Sequence, residues 1–547
     1  MNQTVKQTDS VVAVPDAKTP RDAPDAHVWR TLMLLMLVAL AIVAGRIAVV
    51  ASANGLVPFL SANDRSRWCT VASLVEDGTY RIDRQMQLTA VDPKIKREVR
   101  TWQTIDRVRH QGTDGRYHDY SSKPPLFPTM IAGIYAVVRA VTGMSLTSHP
   151  IYVGRIVLAL TNLPLLWMLL FPTLAIIHRT GRTTWGRIFA GAAACFGTML
   201  LPFSISLNNH LPAAAGAAVA LWVLLDTDRA RRWGWLFVAG LAAAFMAANE
   251  LPALSMLALF GVVALLRSVK FTLLGFAPAV VLVAIAFFGT NWIAHQSLRP
   301  AYAHRGNGPL IVELAVDDPA TPFPDAERVR DALRQAGESI EEPMGILSSE
   351  DKGRWMAITQ SGNQRYAVLR GKAVWEIRQW DDWYEYEGSY WTGNRRSGVD
   401  LGEPSRARYL FHMTLGHHGL LSLTPIWCLS LVGAYFWCRD EDRTRRALAI
   451  AICVASLVCL AFYFRRPLID RNYGGVSSAL RWMLWFAPLW LWLLVPAADR
   501  LASRGRLRVL GGLLLVGSVF SAASVLDNPW THSWLYRFWD YLGWLAA

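Results

Sequence analysis

Residues 28–52 read VWRTLMLLMLVALAIVAGRIAVVAS. A bilayer core about 30 Å thick is crossed by about 20 apolar residues in helical form, and this run is long enough. It ends without a small-x-small cleavage site before a polar region, so it reads as a signal anchor and not as a cleaved signal peptide. Residues 1–27 before it, with Pro15, Pro20 and Pro24 and few apolar side chains, read as a disordered cytoplasmic N-terminus. Further apolar runs follow at 154–177, 187–203, 211–225, 233–248, 251–266, 271–293, 420–437, 447–464, 480–497 and 509–526. The chain of 547 residues is 53% hydrophobic and only 18% charged, with 24 tryptophans, against a usual charged share of about 25%. That composition excludes a disordered protein, a nucleic-acid-binding tail and an ordinary soluble enzyme.

Lysine and arginine in short loops set the sidedness. Arg179 and Arg182 lie in one loop, Arg229, Arg231 and Arg232 in the next, and Arg267 and Lys270 bracket another turn; loops 439–446 and 499–508 hold four arginines each. They alternate with loops at 208–210 and 249–250 that hold no lysine or arginine. The basic loops are therefore expected in the cytoplasm, which also accounts for the net charge of +14 without nucleic acid as a partner. The long loops 53–153 and 294–419 then fall outside. Parity requires an odd number of crossings between Asp64 and Arg179. The short apolar stretch 126–141, holding Pro128 and Arg139, is expected in the interface. The expected fold is an all-α polytopic membrane protein of about 11 transmembrane helices (11–13). Its units are an N-terminal membrane module 28–293, an exoplasmic subdomain 294–419, C-terminal helices 420–526 and an interfacial tail 527–547. None of the six cysteines sits at a metal-ligand spacing, and all but Cys69 lie in or beside apolar runs, so neither a disulfide framework nor a zinc site is indicated.

The outer face gathers the chemistry. Loop 53–153 opens with Asn63-Asp64-Arg65-Ser66-Arg67-Trp68. Asp64 is either a helix N-cap or a general base at the lipid–water boundary, with Arg67 beside it as a candidate substrate contact. The loop closes on Lys123-Pro124-Pro125-Leu126. The prolines stiffen the chain and hold Lys123 at headgroup level, either to pair with a phosphate or to snorkel. Between two basic loops, the segment 464–481 carries Arg465, Arg466, Arg471 and Arg481 with Tyr473-Gly474-Gly475. Four arginines outside break the positive-inside pattern; guanidinium forks suit phosphate oxygens, so the loop is either a clamp for a lipid phosphate or a structural arginine network with Asp470 that also contacts anionic lipid. His210 and Glu250 stand at outer helix ends, where an acidic group at membrane depth is functional by default; equally, Asn209 and Asn249 stand near N-cap positions with a proline shortly after, so both segments read as helix caps. His418, in Gly416-His417-His418-Gly419, is a candidate substrate contact; no matched carboxylate or thiol makes it a metal ligand. Trp375, Trp380, Trp383, Tyr384, Tyr386, Tyr390 and Trp391 offer faces for sugars or for the membrane surface.

Taken together, Asp64, the stretch Val75-Glu76-Asp77-Gly78-Thr79-Tyr80, Lys123-Pro124-Pro125-Leu126 and Tyr473-Gly474-Gly475 with Arg481 resemble the GT-C superfamily of integral membrane glycosyltransferases. The likeness is to protein O-mannosyltransferases and the lipid A aminoarabinose transferase. The resemblance implies an inverting transfer of a sugar from a polyprenyl-phosphate donor to an acceptor hydroxyl of lipid, glycan or protein. This would take place at the exoplasmic face of a bacterial inner membrane. It makes Asp64 the catalytic base, and Lys123, Arg465, Arg466, Arg471 and Arg481 the holders of the donor phosphate. Many relatives carry Asp-Glu where this chain has Asp64-Arg65, which leaves a second acidic role and a divalent metal open. The competing classes are a lipid or polysaccharide transporter, expected to carry charges deep in its spans or internal repeats, and a polysaccharide ligase or polymerase.

Overall fold

The computed structural model describes residues 26–316, 323–349, 353–392 and 395–545. The expected disordered segment 1–27 lies outside the described residues, except that Ala26 and His27 begin the first helix. Among the described residues, six helices are long and apolar enough to cross a membrane: Ala26–Val49, Pro150–Thr180, Val269–His295, Arg443–Phe464, Arg481–Leu501 and Gly505–Ala523. His210–Leu225, Trp233–Asn249, Leu251–Arg267 and Trp427–Trp437 are apolar but shorter. The chain is an integral membrane protein.

Two expected spans are broken. Residues 187–203 divide into Thr184–Phe196 and Leu200–Phe203, with Gly197 as the cap between them. Residues 420–437 divide into Leu420–Leu423 and Trp427–Trp437. Pro425 has no N–H to give and bars Thr424 from helical geometry; Thr424 indeed sits at φ −133°, ψ 72°. The helices share one apolar core. Glycines permit the closest approaches, as small residues do between membrane helices. A Cβ on Gly216 would strike the Ala242 carbonyl of the neighbouring helix, and one on Gly433 the Leu493 carbonyl.

The basic loops meet at one end of the bundle. Arg179 pairs with Asp226, the Thr183 amide and hydroxyl donate to Asp499 at 2.8 Å each, and Arg267 Nη2 donates to the Leu224 carbonyl at 3.3 Å. At the other end lie both long loops. In the first, residues Leu126–Thr142, the short apolar stretch, form a helix. It buries Phe127, Ile131, Tyr135 and Val138, leaves Met130, Val137 and Val141 exposed, and stops at Gly143 in the left-handed region.

An all-α fold is not what forms. The first loop holds two antiparallel hairpins, Thr89–Val91 with Glu98–Arg100 and Arg107–Gln111 with Tyr117–Ser121. The interval 294–419 holds a five-stranded antiparallel sheet, its strands in the order Asn307–Ala315, Val374–Trp380, Arg365–Arg370, Arg354–Thr359 and Met344–Ser348. Helix Ala326–Gln335 packs Val329, Ala332 and Leu333 on Ala357, Val368 and Ile377 as a separate small core. These strands are short and flanked by charge, so their alternation, such as Trp375 and Ile377 in the core beside Glu376 and Arg378, is weak against the membrane runs. In the tail, Trp534–Tyr541 is helical with Tyr541 and Trp544 exposed, whereas Trp530 is buried.

Candidate active site

A cavity of about 610 Å³ lies at the end of the bundle away from the basic loops, lined from both long loops, from residues 248–252 and 462–482, and by Asn209 and Trp530. One wall is cationic. Helix Ala62–Glu76 starts at Ser61, whose Oγ accepts the Asp64 amide at 3.0 Å. One turn on, Arg67 reaches the cavity, donating through Nη1 to both oxygens of Asn63 and through Nη2 to Asn209 Oδ1 at 2.7 Å. Asn209 Nδ2 donates to Glu250 Oε1 at 2.6 Å, and His210 Nδ1 meets the same oxygen at 2.5 Å. The far side of the His210 ring, Nε2, faces Arg481 Nη1 at 3.2 Å. A guanidinium only donates, which makes Nε2 the acceptor and Nδ1–H the donor to Glu250. The Glu250–His210 pair thus spaces Arg67 and Arg481 within one network.

Arg481 is fixed from a second direction. Tyr473, Gly474 and Gly475 take φ of 56°, 99° and 80°. This left-handed turn favours glycine and brings the Gly474 carbonyl to Arg481 Nε at 2.6 Å. A Cβ on Gly474 would press on the Arg481 side chain. The Arg481 guanidinium also lies 5.2 Å from the Trp530 ring centre.

Lys123 completes the wall. Its amide donates to Ser121 Oγ at 3.2 Å, Ser121 and Ser66 share a 2.7 Å hydroxyl contact, and Ser66 Oγ donates to the Asp106 carbonyl at 2.6 Å. Lys123 Nζ sits 3.1 Å from Asp106 Oδ2. Burial pushes the Lys123 ammonium down to about 8, Asp106 opposing and Arg67 and Arg481 adding to the fall. Burial works to raise Asp106, yet Lys123, Arg481 and Arg67 hold its carboxyl below the usual range. Burial and the charge of Arg481 push Arg67 down to about 10.

The opposite rim is aromatic and mixed in charge. Arg305 and Arg466 both engage Asp470, at 3.3 and 2.9 Å, and Arg305 lies 4.0 Å over the Tyr384 ring. Asp400 accepts from the Tyr390 hydroxyl and Asn472 Nδ2, each at 3.0 Å. Tyr302 and Trp391 also line this side. Leu251, Phe462 and Val476 also line the cavity and are exposed.

Of the residues singled out in the sequence, Arg67, Lys123, Glu250, Arg466 and Arg481 line this cavity; Asp64, His210, Arg465, Arg471, His418 and Tyr473 do not. Asp64 is fully buried. Its Oδ2 accepts the Leu60 amide at 2.9 Å, its Oδ1 is buried without a partner, and burial pushes its carboxyl up to about 7. Arg465 is exposed outside the cavity. Arg471 donates to the carbonyls of Arg466, Glu403 and Pro404 at 3.1, 3.2 and 2.9 Å, tying the loop to residues 403–404. His210 is enclosed behind the wall it supports. His418 stacks on Tyr473 with ring centres 4.5 Å apart and meets the Ser477 carbonyl through Nε2 at 2.9 Å, in an aromatic layer beside the site. Nothing in the sequence marks Asp106, Arg305 or Asp400 for the site, and Trp530 reads there only as part of the interfacial tail; Asp106 stands in Ile105-Asp106-Arg107, which carries no motif. Among the described residues, no three histidine, cysteine, aspartate or glutamate side chains are grouped so as to hold a metal ion.

No family model and no curated protein matches this chain. Among solved structures, it is similar to the protein O-mannosyltransferase Pmt1–Pmt2 complex of S. cerevisiae, bound to the sugar donor. There the identity is 10%, the TM-score 0.40, and the match covers 96% of this chain and 94% of that one. It is also similar to the oligosaccharyltransferase AglB of Archaeoglobus fulgidus, in complex with an inhibitory peptide and a dolichol-phosphate. Here the identity is 12% and the TM-score 0.37, and the match covers 93% of this chain and 57% of that one.

Proposed function

We propose that the chain is an inverting glycosyltransferase that moves a sugar from a polyprenyl-phosphate carrier to an acceptor hydroxyl at the outer face of a bacterial inner membrane. The observation that carries this is the convergence of Arg67, Lys123 and Arg481 on one wall, beside exposed Leu251, Phe462 and Val476. Three cationic donors match the oxygens of a phosphate, and the apolar flank offers its lipid tail a way out to the bilayer. The outer placement rests on the basic loops at the opposite end.

In the step we envisage, the acceptor oxygen attacks the anomeric carbon while the bond from that carbon to the phosphate oxygen breaks. The lipid phosphate leaves with the electron pair, and its growing charge is met by donors already in place, usually a large contribution to catalysis. Lys123 turns from Asp106 to the phosphate, and Asp106, relieved of its partner, takes the hydroxyl proton. Asp106 is chosen over Asp64 because its carboxylate lines the cavity. Asp64 is the second reading, favoured by its unpartnered Oδ1 and a carboxyl near 7, the range of a poised base.

Transfer from a short-chain polyprenyl-phosphate sugar by the Asp106→Asn and Asp64→Asn proteins separates these assignments. Loss of turnover with retained donor binding in Asp106→Asn alone supports the cavity carboxylate; the same pattern in Asp64→Asn alone reassigns the base. A wild-type protein that binds polyprenyl phosphate but transfers no sugar from it to any hydroxyl would leave a carrier-lipid transporter as the better account.

A further inference from the structure

A second polar cleft, of about 370 Å³, lies on another side of the first loop and shares no lining residue with the active-site cavity. Its floor is Ser52 and Asn54, a few residues beyond the end of the first membrane helix, Ala26–Val49, which places it at the membrane surface. Its sides are Arg65 and the hairpin residues Lys94 and Arg100. The hairpin is pinned down on this floor: Lys94 Nζ donates to the Ala53 carbonyl at 2.6 Å. Asp92 also lines the cleft, but its Oδ1 is occupied by the Lys94 and Ile95 amides at 2.8 and 3.3 Å. Three cations therefore face one carboxylate. Arg65 spends Nη1 on the Gln103 carbonyl at 2.6 Å, while its buried Nε has no partner. Among the described residues, the Arg100 side chain makes no hydrogen bond or ion pair. Val91 and Ile95 on the same hairpin are large, apolar and exposed, as is Val49 at the top of the adjoining helix.

Cations at a membrane surface next to exposed aliphatic side chains have a specific chemical complement, a phosphodiester carrying acyl chains. We infer that this cleft binds the headgroup phosphate of an anionic phospholipid. Arg65, Lys94 and Arg100 hold the phosphate oxygens, and the acyl chains run down beside Val49 on the exposed face of the first helix. The site stands independently of the proposed transfer reaction. By clamping the hairpin to the bilayer, it would fix the height of helix Ala62–Glu76, which carries Arg67, above the membrane.

The test uses the full chain, purified and delipidated in detergent, titrated with phosphatidylglycerol or phosphatidylcholine and read by native mass spectrometry. Lys94→Gln/Arg100→Gln removes two cleft cations, both exposed. Lys96→Gln/Arg97→Gln removes two hairpin-tip cations that do not line the cleft. Tight binding of one phosphatidylglycerol is expected, weakened about tenfold or more in the cleft variant at an unchanged melting temperature. The tip variant should shift it by less than about threefold. Equal affinity for phosphatidylcholine, or an equal loss in the tip variant, overturns the inference. Displacement of the lipid by millimolar inorganic phosphate also overturns it, by assigning the cleft to a soluble anion.

Discussion

Arg481 and Arg471 look alike in the sequence, and their surroundings separate them. Arg481 keeps Nη1 on a histidine ring at the cavity wall, whereas Arg471 spends Nε and Nη1 on three carbonyls. Arg471→Ala is therefore expected to cost about 1–3 kcal/mol of stability, because three part-buried hydrogen bonds from a charged donor are lost, and to leave the donor affinity of the surviving folded protein close to wild type; thermal unfolding beside polyprenyl-phosphate titration checks both. Lys123→Ala and Arg481→Ala should each weaken that affinity at least tenfold. The double variant should lose less than their sum, with a coupling of about 1 kcal/mol or more, because the two cations share one phosphate. Strict additivity would mark them as separate surface charges. A lysine is charged below its pKa, and Lys123 is pushed down to about 8. Donor affinity should accordingly hold through neutral pH and fall as pH rises through about 8. Lys123→Arg, charged throughout that range, should remove the fall, and binding isotherms between pH 6.5 and 9.5 read it directly.

At the scale of elements, the Tyr473-Gly474-Gly475 turn matters because its backbone, more than its side chains, meets the site. Gly474→Ala places a Cβ at φ 99° and against the Arg481 side chain. It is expected to cost about 1–2 kcal/mol and to loosen Arg481, so that donor affinity drops as in Arg481→Ala while Lys123→Ala adds little further. Wild-type affinity in a folded Gly474→Ala protein would refute the turn's positioning role. The prolines after Lys123 act similarly. Pro124 and Pro125 end the extended approach from strand Tyr117–Ser121 and start helix Leu126–Thr142, which leaves Lys123 at the corner between them. Both motifs are legible as short strings because the local backbone geometry they need is written locally.

For the molecule as a whole, the separation of basic loops from cavity-forming loops predicts which ends face which compartment. A cysteine at exposed Arg465 should react with an impermeant maleimide in intact cells, and one at exposed Ser503 should react only after lysis. The reverse pattern would invert the topology and move the proposed reaction to the cytoplasm. Ser477, in the same loop as Arg465, is fully buried and would stay unlabelled in either case.

The amino-acid sequence by itself determined what depends on neighbours along the chain. Apolar run length marked the six helices that, among the described residues, are long and apolar enough to cross a membrane, but not the breaks in runs 187–203 and 420–437; loop arginines gathered at one end, and the glycines and prolines bent the backbone beside Arg481 and Lys123. Only the tertiary structure decided which side chains face one another. Asp64 and Asp106 are both aspartates of the first long loop, but the register of helix Ala62–Glu76 turns Arg67 to the cavity and Asp64 into the Leu60 amide, while the Asp106 carboxylate is left to Lys123. No local pattern encodes that choice, because it depends on where helix ends more than a hundred residues away deliver Asn209, Glu250 and Arg481. The sheet in 294–419 was hidden for a related reason: its strands are short and flanked by charge, and their pairing is satisfied across the sheet, outside the reach of a sequence window. Trp530, far along the tail, became part of the site because burying its ring against Phe203 while its Nε1–H donates to Ser206 at 3.0 Å satisfies both halves of the side chain at once.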